Sequence, residues 1–346
     1  MVVAPLVSVK MITYNHAPYI ADAIEGVLMQ KTSFPFELVI GEDCSTDGTR
    51  QIVYQYADAH PDVVRVITSQ RNVGIRANSL RATLACRGDY IAWCEGDDYW
   101  HSEDKLQMQV DYLEANSDYG LVYSDCDYSY VSANQYLRSF NAQRGLVPPT
   151  DPTVRDVLLG RCGVHTCTAC ARIDLVRAIY ASDPELYQSG KFLMGDTPLW
   201  ADISSRSKVH YFPVSMAVHR ILPNSAAHSE SIEQQQRFYV SNREMCVYVG
   251  EKHLLPTNDI RLLQAKRYDA SLFLAFIEGD KKRGHCAWEG LMHPTFRQCL
   301  MFWSLENKAL NWIVQRAWGL KRFVQSRTQL LRPAGPGRRP HALRNR

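Results

Sequence analysis

Three carboxylates fall within four residues at Glu95-Gly96-Asp97-Asp98, directly after the apolar run Tyr90-Ile91-Ala92-Trp93-Cys94. Like charges this close repel and raise one another's pKa, so a fold keeps them on the surface or around a positive partner. A solvated acidic turn is the plainest account of an isolated cluster. The chemical alternative is a hard divalent ion: oxygen ligands on a short turn suit Mg²⁺ or Mn²⁺, which leave positions open for water and substrate phosphates. A second acidic pair, Glu42-Asp43, closes another apolar run, Glu37-Leu38-Val39-Ile40-Gly41.

The elements that must position these groups alternate along the first third of the chain. Leu6 to Tyr14 is a β-branched apolar run ending in Asn15-His16-Ala17-Pro18, and Ile20, Ile24, Val27 and Leu28 then recur at helical spacing. The strand ending at Glu42-Asp43 is followed by Ser45-Thr46-Asp47-Gly48, a cap and turn, and by a helix holding Ile52, Val53, Tyr56 and Ala57. Val63 to Ile67 reads as a third strand, Arg71-Asn72-Val73-Gly74 opens another helix, and Arg87-Gly88 closes it before the strand that leads to Glu95. Repeated β-α order with short connections predicts an α/β fold with a mostly parallel, doubly wound sheet.

Ligands of such sheets sit beyond the carboxyl ends of the strands, where both acidic sites fall. A nucleoside diphosphate fits that pairing: one carboxylate bonds base or ribose while the other cluster holds a cation over the diphosphate. The chain has no Gly-x-Gly-x-x-Gly after its first strand and no Gly-x-x-x-x-Gly-Lys-Ser/Thr, so neither a dinucleotide fingerprint nor a P-loop holds the phosphates.

At 346 residues and 46% hydrophobic content the chain has ample material for a core. Its net charge of +3 conceals an asymmetry, because residues 1–306 carry 29 Lys or Arg against 36 Asp or Glu, and ten basic residues but no acid follow Glu306. An acidic body with a basic end points to two different partners. The N-terminal residues show no charged leader or cleavage site, and no window holds the roughly 18 apolar residues of a spanning helix, so the expectation is a cytoplasmic protein with neither signal peptide nor span. Ten cysteines without regular spacing read as reduced, mostly buried thiols.

Val7-Ser8-Val9 through Tyr14-Asn15, Glu42-Asp43-Cys44-Ser45-Thr46-Asp47-Gly48-Thr49, Asn72-Val73-Gly74, and Arg87-Gly88-Asp89-Tyr90-Ile91 through Glu95-Gly96-Asp97-Asp98-Tyr99-Trp100 follow one another in a specific order. Over residues 5 to 115 this order resembles the N-terminal half of a family 2 glycosyltransferase of the bacterial surface-polysaccharide type. The resemblance implies a GT-A fold, a Rossmann-like mostly parallel sheet flanked by helices, here with a helical C-terminal extension. It also implies inverting, metal-dependent transfer of a sugar from a nucleoside-diphosphate donor, UDP being the expected nucleoside and Mn²⁺ or Mg²⁺ the ion. Donor contacts are then expected from Thr13, Tyr14, Asn15, Asp43, Arg71, Asn72, Arg76, Glu95, Asp97, His219 and Arg220, with Tyr14 and Asp43 at the nucleobase. Asp97 and Asp98 are the expected metal ligands. The chain departs from the family pattern with Glu95 where Asp is usual and with Leu222 where a His is frequent.

The resemblance further places a catalytic base near a helix start in the second half, and Gly195-Asp196-Thr197-Pro198-Leu199-Trp200 fits it. Pro198 lies within a first turn, so Asp196 reads either as a plain cap or as the carboxylate that takes the acceptor hydroxyl's proton. Cys162, His165, Cys167 and Cys170 are too tightly spaced for a two-knuckle zinc site, and residues 163–171 read as a strand lined with small residues. The resemblance implies that His219, Arg220 and His228 lie in a segment that closes over the diphosphate, the alternative being surface or packing residues after a strand.

The expected organisation is a glycosyltransferase domain over 1–228, with a nucleotide-binding half to 115 and an acceptor half after it, then a helical region 229–330 and a disordered basic tail 331–346. Helices over Phe296 to Trp303 and Leu310 to Val324 set Trp beside Lys or Arg, as helices lying on an anionic membrane face do, whereas inward-packed Trp is the alternative. The partners expected are a nucleotide-sugar, a glycan or lipid-linked acceptor and the cytoplasmic face of the inner membrane; nucleic acid is not expected. Two other functions share parts of this pattern. A sugar nucleotidyltransferase would want a glycine-rich basic loop where Thr13-Tyr14-Asn15-His16-Ala17-Pro18 stands, and a non-catalytic sugar-nucleotide-binding scaffold would not turn over its ligand.

Overall fold

The computed structural model describes residues 4–223 and 231–317. Strands β1 (Val7–Thr13), β2 (Phe36–Glu42), β3 (Val64–Ile67) and β4 (Tyr90–Trp93) alternate with helices α1 (Ile20–Leu28), α2 (Thr49–Ala59) and α3 (Ile75–Ala85), in the order the sequence predicts. The four strands are parallel in the order β3-β2-β1-β4. Helix α1 forms because Ile20, Ala23, Ile24 and Val27 share one stripe, all of it buried. Gly26 on the same helix lets the backbone of the short strand β5 (Tyr99–Trp100) approach, since a Cβ there would stand 2.7 Å from the Trp100 carbonyl oxygen.

The second half continues with α4 (Lys105–Ala115), β6 (Tyr119–Tyr130), β7 (Gln135–Leu137), α5 (Phe140–Gln143), α6 (Val154–Leu159), β8 (Cys170–Arg172), α7 (Ile173–Ser182), α8 (Pro184–Tyr187), α9 (Asp196–Ser204) and β9 (Lys208–Ile221). These strands extend the sheet past β4 as β8-β6-β9-β5, with β8 antiparallel to both neighbours and β6 parallel to β9. The expected strand over 163–171 is corrected here. Only Cys170–Arg172 pairs, while Thr166–Thr168 form a 3-10 turn held by Trp100 Nε1, which donates to the Cys167 carbonyl at 2.7 Å, and by Gln109 Nε2, which donates to that of Thr168 at 2.7 Å. Local hydrogen bonds to side chains from two other elements override the strand propensity of small residues.

Successive strand residues feed opposite faces, as the two-residue period requires. Leu38, Ile40, Tyr90, Ala92, Val122 and Cys170 join one buried cluster with α1 and α4, whereas Val39, Ile91, Trp93, Leu121, Tyr123 and Ala171 join the other with α6, α7 and α9.

The chain divides into two compact units, residues 1–267 and 268–346. Helix α10 (Ile232–Lys252) belongs to the first, where Met245, Cys246, Val247 and Val249 enter the second of those clusters. Helix α11 (Thr257–Glu278) crosses the division. The second unit holds α12 (Lys281–Glu289), α13 (Phe296–Glu306) and helical residues 308–317, built around Leu272, Phe276, Met301, Leu305 and Val314. Within it Trp288 stacks on Phe302, but Phe296, Trp303 and Trp312 lie exposed. His228, Trp318, Lys321, Arg322 and the tail 331–346 lie outside the described residues.

Candidate active site

The carboxyl ends of β1, β2 and β4 converge because Thr13 pairs with Glu42 in register and Lys10 with Trp93. The loops that leave those ends are stitched together. Asn15 Oδ1 accepts from the Thr46 amide at 2.9 Å, Asp47 accepts from the Ala17 amide at 3.0 Å, and Thr49 accepts from the His16 amide at 2.8 Å. Asn15 and Cys44 both take positive φ, 56° and 62°, a conformation few side chains other than Asn adopt without cost. The Tyr14 ring stays exposed above this crossing.

Asp43 is buried at its base, and its two oxygens accept from the amides of Val73 and Gly74, each at 2.9 Å. It therefore holds the Asn72 loop in addition to offering its remaining lone pairs to a ligand. Asn72 accepts from the Gly74 amide, and Arg71 is exposed beside it. Arg76 behaves differently from the expectation of a donor contact: its guanidinium donates to the carbonyls of Leu186, Phe192 and Met194, so it tethers α3 to the segment that leads into Asp196.

The acidic turn is set by Gly96, whose amide donates to the Ile12 carbonyl. A side chain there would meet Thr13 Oγ1 at 2.7 Å, which is why glycine separates the carboxylates. The three acids have distinct surroundings. Glu95 is raised to about 8, first by burial and then by the charges of Asp98 and Asp97, with Lys10 offsetting part; its Oε2 is buried and finds no partner. Asp97 is raised by burial and by Asp98. Asp98 is lowered: burial opposes its charge, but His219 Nδ1 at 3.1 Å and the Arg220 amide at 2.8 Å outweigh that.

Reciprocally, Asp98 raises His219 to about 9 against its burial. Arg220 donates to the Asp97 carbonyl at 3.2 Å, pairs with Asp22 on α1 and lies 4.4 Å over the Tyr99 ring. β9 thus delivers His219 and Arg220 to the turn that the sequence placed more than a hundred residues earlier.

Two residues set aside at the sequence level also belong here. Cys167 Sγ, an Asp98 oxygen and a His219 ring nitrogen all lie within 4.8 Å of one another. His165, lowered to about 3 by burial and then by the His219 charge, stacks on His219 at 5.6 Å and bonds the Tyr128 hydroxyl. Only the tight Cys and His spacing hinted at them, and that spacing pointed to the wrong partners.

Asp196 is the first residue of α9, with Gly195 at the cap position and Pro198 in the first turn. Its Oδ1 accepts from the Thr197 amide at 2.7 Å, and Thr166 reaches its Oδ2 at 3.4 Å. Thr166 and Cys167 are neighbours in the 3-10 turn, so that turn faces Asp196 at one residue and Asp98 at the next. The Asp98 carboxylate, the His219 imidazole and the Cys167 thiol form a donor set that fits a divalent cation, and the unpartnered Glu95 oxygen marks charge that the protein leaves unanswered.

A mostly parallel sheet with an acidic turn at its carboxyl edge, facing a helix-start carboxylate, is the arrangement of the GT-A glycosyltransferases. Residues 8–177, just under half of the 346-residue chain, match the model of glycosyl transferase family 2. A putative teichuronic acid biosynthesis glycosyltransferase of Bacillus subtilis, TuaG, is 38% identical over 114 residues, 33% of this chain and 44% of that protein. The matched stretches span between 17% and 58% of the lengths of the curated relatives compared, 31% and 44% in two of them. Two solved structures share the fold. One is a mannosyltransferase from Pyrobaculum calidifontis in complex with GDP-Man and Mn²⁺ (TM-score 0.54, 16% identity, covering 93% of this chain and 87% of that one). The other is Staphylococcus aureus TarS 1-349 in complex with UDP-GlcNAc (TM-score 0.54, 15% identity, 88% and 91%).

Proposed function

We propose that the protein is an inverting, metal-dependent glycosyltransferase that moves a sugar from a UDP-sugar to a glycan or lipid-linked acceptor during synthesis of a bacterial surface polysaccharide. The observation that carries the reading is the turn at Thr166-Cys167, which sets a helix-start carboxylate beside the acidic turn and its imidazole. TuaG, named for teichuronic acid biosynthesis, supports the acceptor class, and TarS in complex with UDP-GlcNAc supports the donor.

In this reading Tyr14, Asn15, Asp43 and Asn72 bind the nucleoside, and Asp43 also fixes the loop that carries Asn72. Asp97, Asp98 and His219 hold Mn²⁺ or Mg²⁺, which when bound offsets the charge growing on the departing diphosphate. Arg220, anchored to Asp22 and to the Asp97 carbonyl, supports that end of the site. Asp196 accepts the acceptor hydroxyl's proton through Oδ2, whose hydrogen bond from Thr166 is long at 3.4 Å and leaves lone-pair capacity.

A panel of UDP- and GDP-sugars, each melted with Mn²⁺, with Mg²⁺ and with EDTA, tests the donor and the ion together. A matching UDP-sugar at a hundred times its Kd is expected to raise Tm by about 5 °C in Mn²⁺ and not in EDTA. Equal stabilisation in EDTA, or stabilisation by GDP-sugars alone, would overturn the metal or the nucleoside assignment. UDP release with acceptor present separates the transferase from a scaffold.

The same reading places the enzyme at the cytoplasmic face of a membrane. Among the described residues no helix is long and apolar enough to cross one. In the second unit, however, Phe296 and Trp303 stand one heptad apart on α13 and are 77% and 53% exposed, and Arg316 stacks over the exposed Trp312 ring at 4.4 Å. Aromatic groups paired with cations suit an anionic lipid surface. Flotation with vesicles of anionic phospholipid is expected to carry the full chain up, less so at high salt, and W303A/W312A to lose most of that binding; equal flotation of the double variant would refute it.

A further inference from the structure

Cys167 is a buried group that the mechanism above leaves unused. It is fully buried, it sits in the 3-10 turn, and its sulfur shares a 4.8 Å cluster with oxygen of Asp98 and nitrogen of His219. That span is close to what metal bonds of about 2.0–2.3 Å cover from a single centre. The turn cannot easily withdraw the thiol, because Trp100 and Gln109 hold the carbonyls of residues 167 and 168. The neighbouring cysteines do not share this placement: the cluster brings together residues 98, 167 and 219, and neither Cys162 nor Cys170 enters it.

We propose that Cys167 ligates the divalent ion as a thiolate alongside Asp98 and His219, giving an oxygen, nitrogen and sulfur site that favours thiophilic ions over Mg²⁺. The proposal rests on the metal-dependent reading above. Hard oxygen-only sites suit Mg²⁺, whereas thiolate and imidazole suit Zn²⁺, Co²⁺ and Cd²⁺. On binding, the sulfur–hydrogen bond is exchanged for a sulfur–metal bond and the proton leaves to solvent, so binding strengthens as pH rises. Without an ion the thiol hydrogen faces the Asp98 carboxylate, a role that a serine hydroxyl would fill. That difference separates ligation from simple hydrogen bonding.

The test titrates the full chain with Co²⁺, in the presence of UDP, and follows the near-ultraviolet thiolate-to-cobalt charge-transfer band while calorimetry reads Cd²⁺ and Mg²⁺ affinities. The wild-type chain is expected to show the band saturating at one ion per chain. C167S, checked by its own melting curve, is expected to lose it, with the ratio of Cd²⁺ to Mg²⁺ affinity falling at least about tenfold. C167A repeats the comparison without a hydroxyl. Co²⁺ bound without the band, or an unchanged affinity ratio in C167S, would overturn the ligation by Cys167 and leave the metal-dependent reading standing. If neither Mn²⁺ nor Co²⁺ binds in the presence of UDP, the metal reading itself falls and takes this proposal with it.

Discussion

Replacing Asp196 with Asn is expected to lower the rate of sugar transfer by about 10²–10⁴-fold while leaving the affinity for UDP and its sugar conjugates within about twofold. The amide keeps the size of the carboxylate and can still accept from the Thr197 amide at Oδ1. It has no basic oxygen to receive the acceptor's proton, so the loss falls on kcat. Asp196 starts a nine-residue helix, with Gly195 at the cap position before it. The measurement is UDP release under saturating donor and acceptor, with a binding titration alongside. Retention of more than about a tenth of the wild-type rate would move the base elsewhere.

The second large effect concerns stability. Asp202, on the same helix, is fully buried and accepts from Tyr187 at 2.7 Å, from Lys252 at 2.8 Å and from His253. These contacts join α9 to α8 and to the end of α10. Substituting Ala leaves Lys252 without that partner and opens a void, at a cost expected to be about 3–5 kcal/mol, seen as a fall in Tm and in denaturation midpoint. Burial works against the Asp202 charge, yet His253, Lys252 and Tyr187 prevail and hold its pKa below the usual carboxylate value.

The sign follows from that direction. The pair's contribution is fully present above the unfolded value, about 3.9, and is lost as pH falls through the lower folded value. Wild-type stability should therefore decline below about pH 4, and the Ala variant should show a shallower decline. An Ala variant with an unchanged midpoint would show the network to be worth nothing.

Much of the first unit could be read directly from local pattern. β1 to β4 and α1 to α3 were legible because their apolar spacing matches one period each and their turns carry Pro, Gly or Asp at the ends. β8 was not, since three residues carry no period and the antiparallel direction depends on β4 and β6, which flank it in space. The site divides the same way. Asp43 and the turn at 95–98 announced themselves by charge at strand ends, whereas the partnership of Asp98 with His219 joins residues 121 apart and needed the fold. Arg76 shows the limit of resemblance alone: it was expected to touch the donor, yet its guanidinium donates to carbonyls near residue 190. Cys167 looked like one thiol among several until the turn oriented it.

That turn has an implication for how such an enzyme changes over time. In the proposed function Thr166 bonds the carboxylate that takes the acceptor's proton, and Cys167 faces the Asp98 side of the ion site, one peptide unit apart. A substitution that re-aims the turn cannot retune acceptor reach without disturbing ion preference. Lineages that switch acceptors by altering residues 165–168 would then have to switch ions too, so specificity drift in this enzyme is channelled into the loops that touch only one partner.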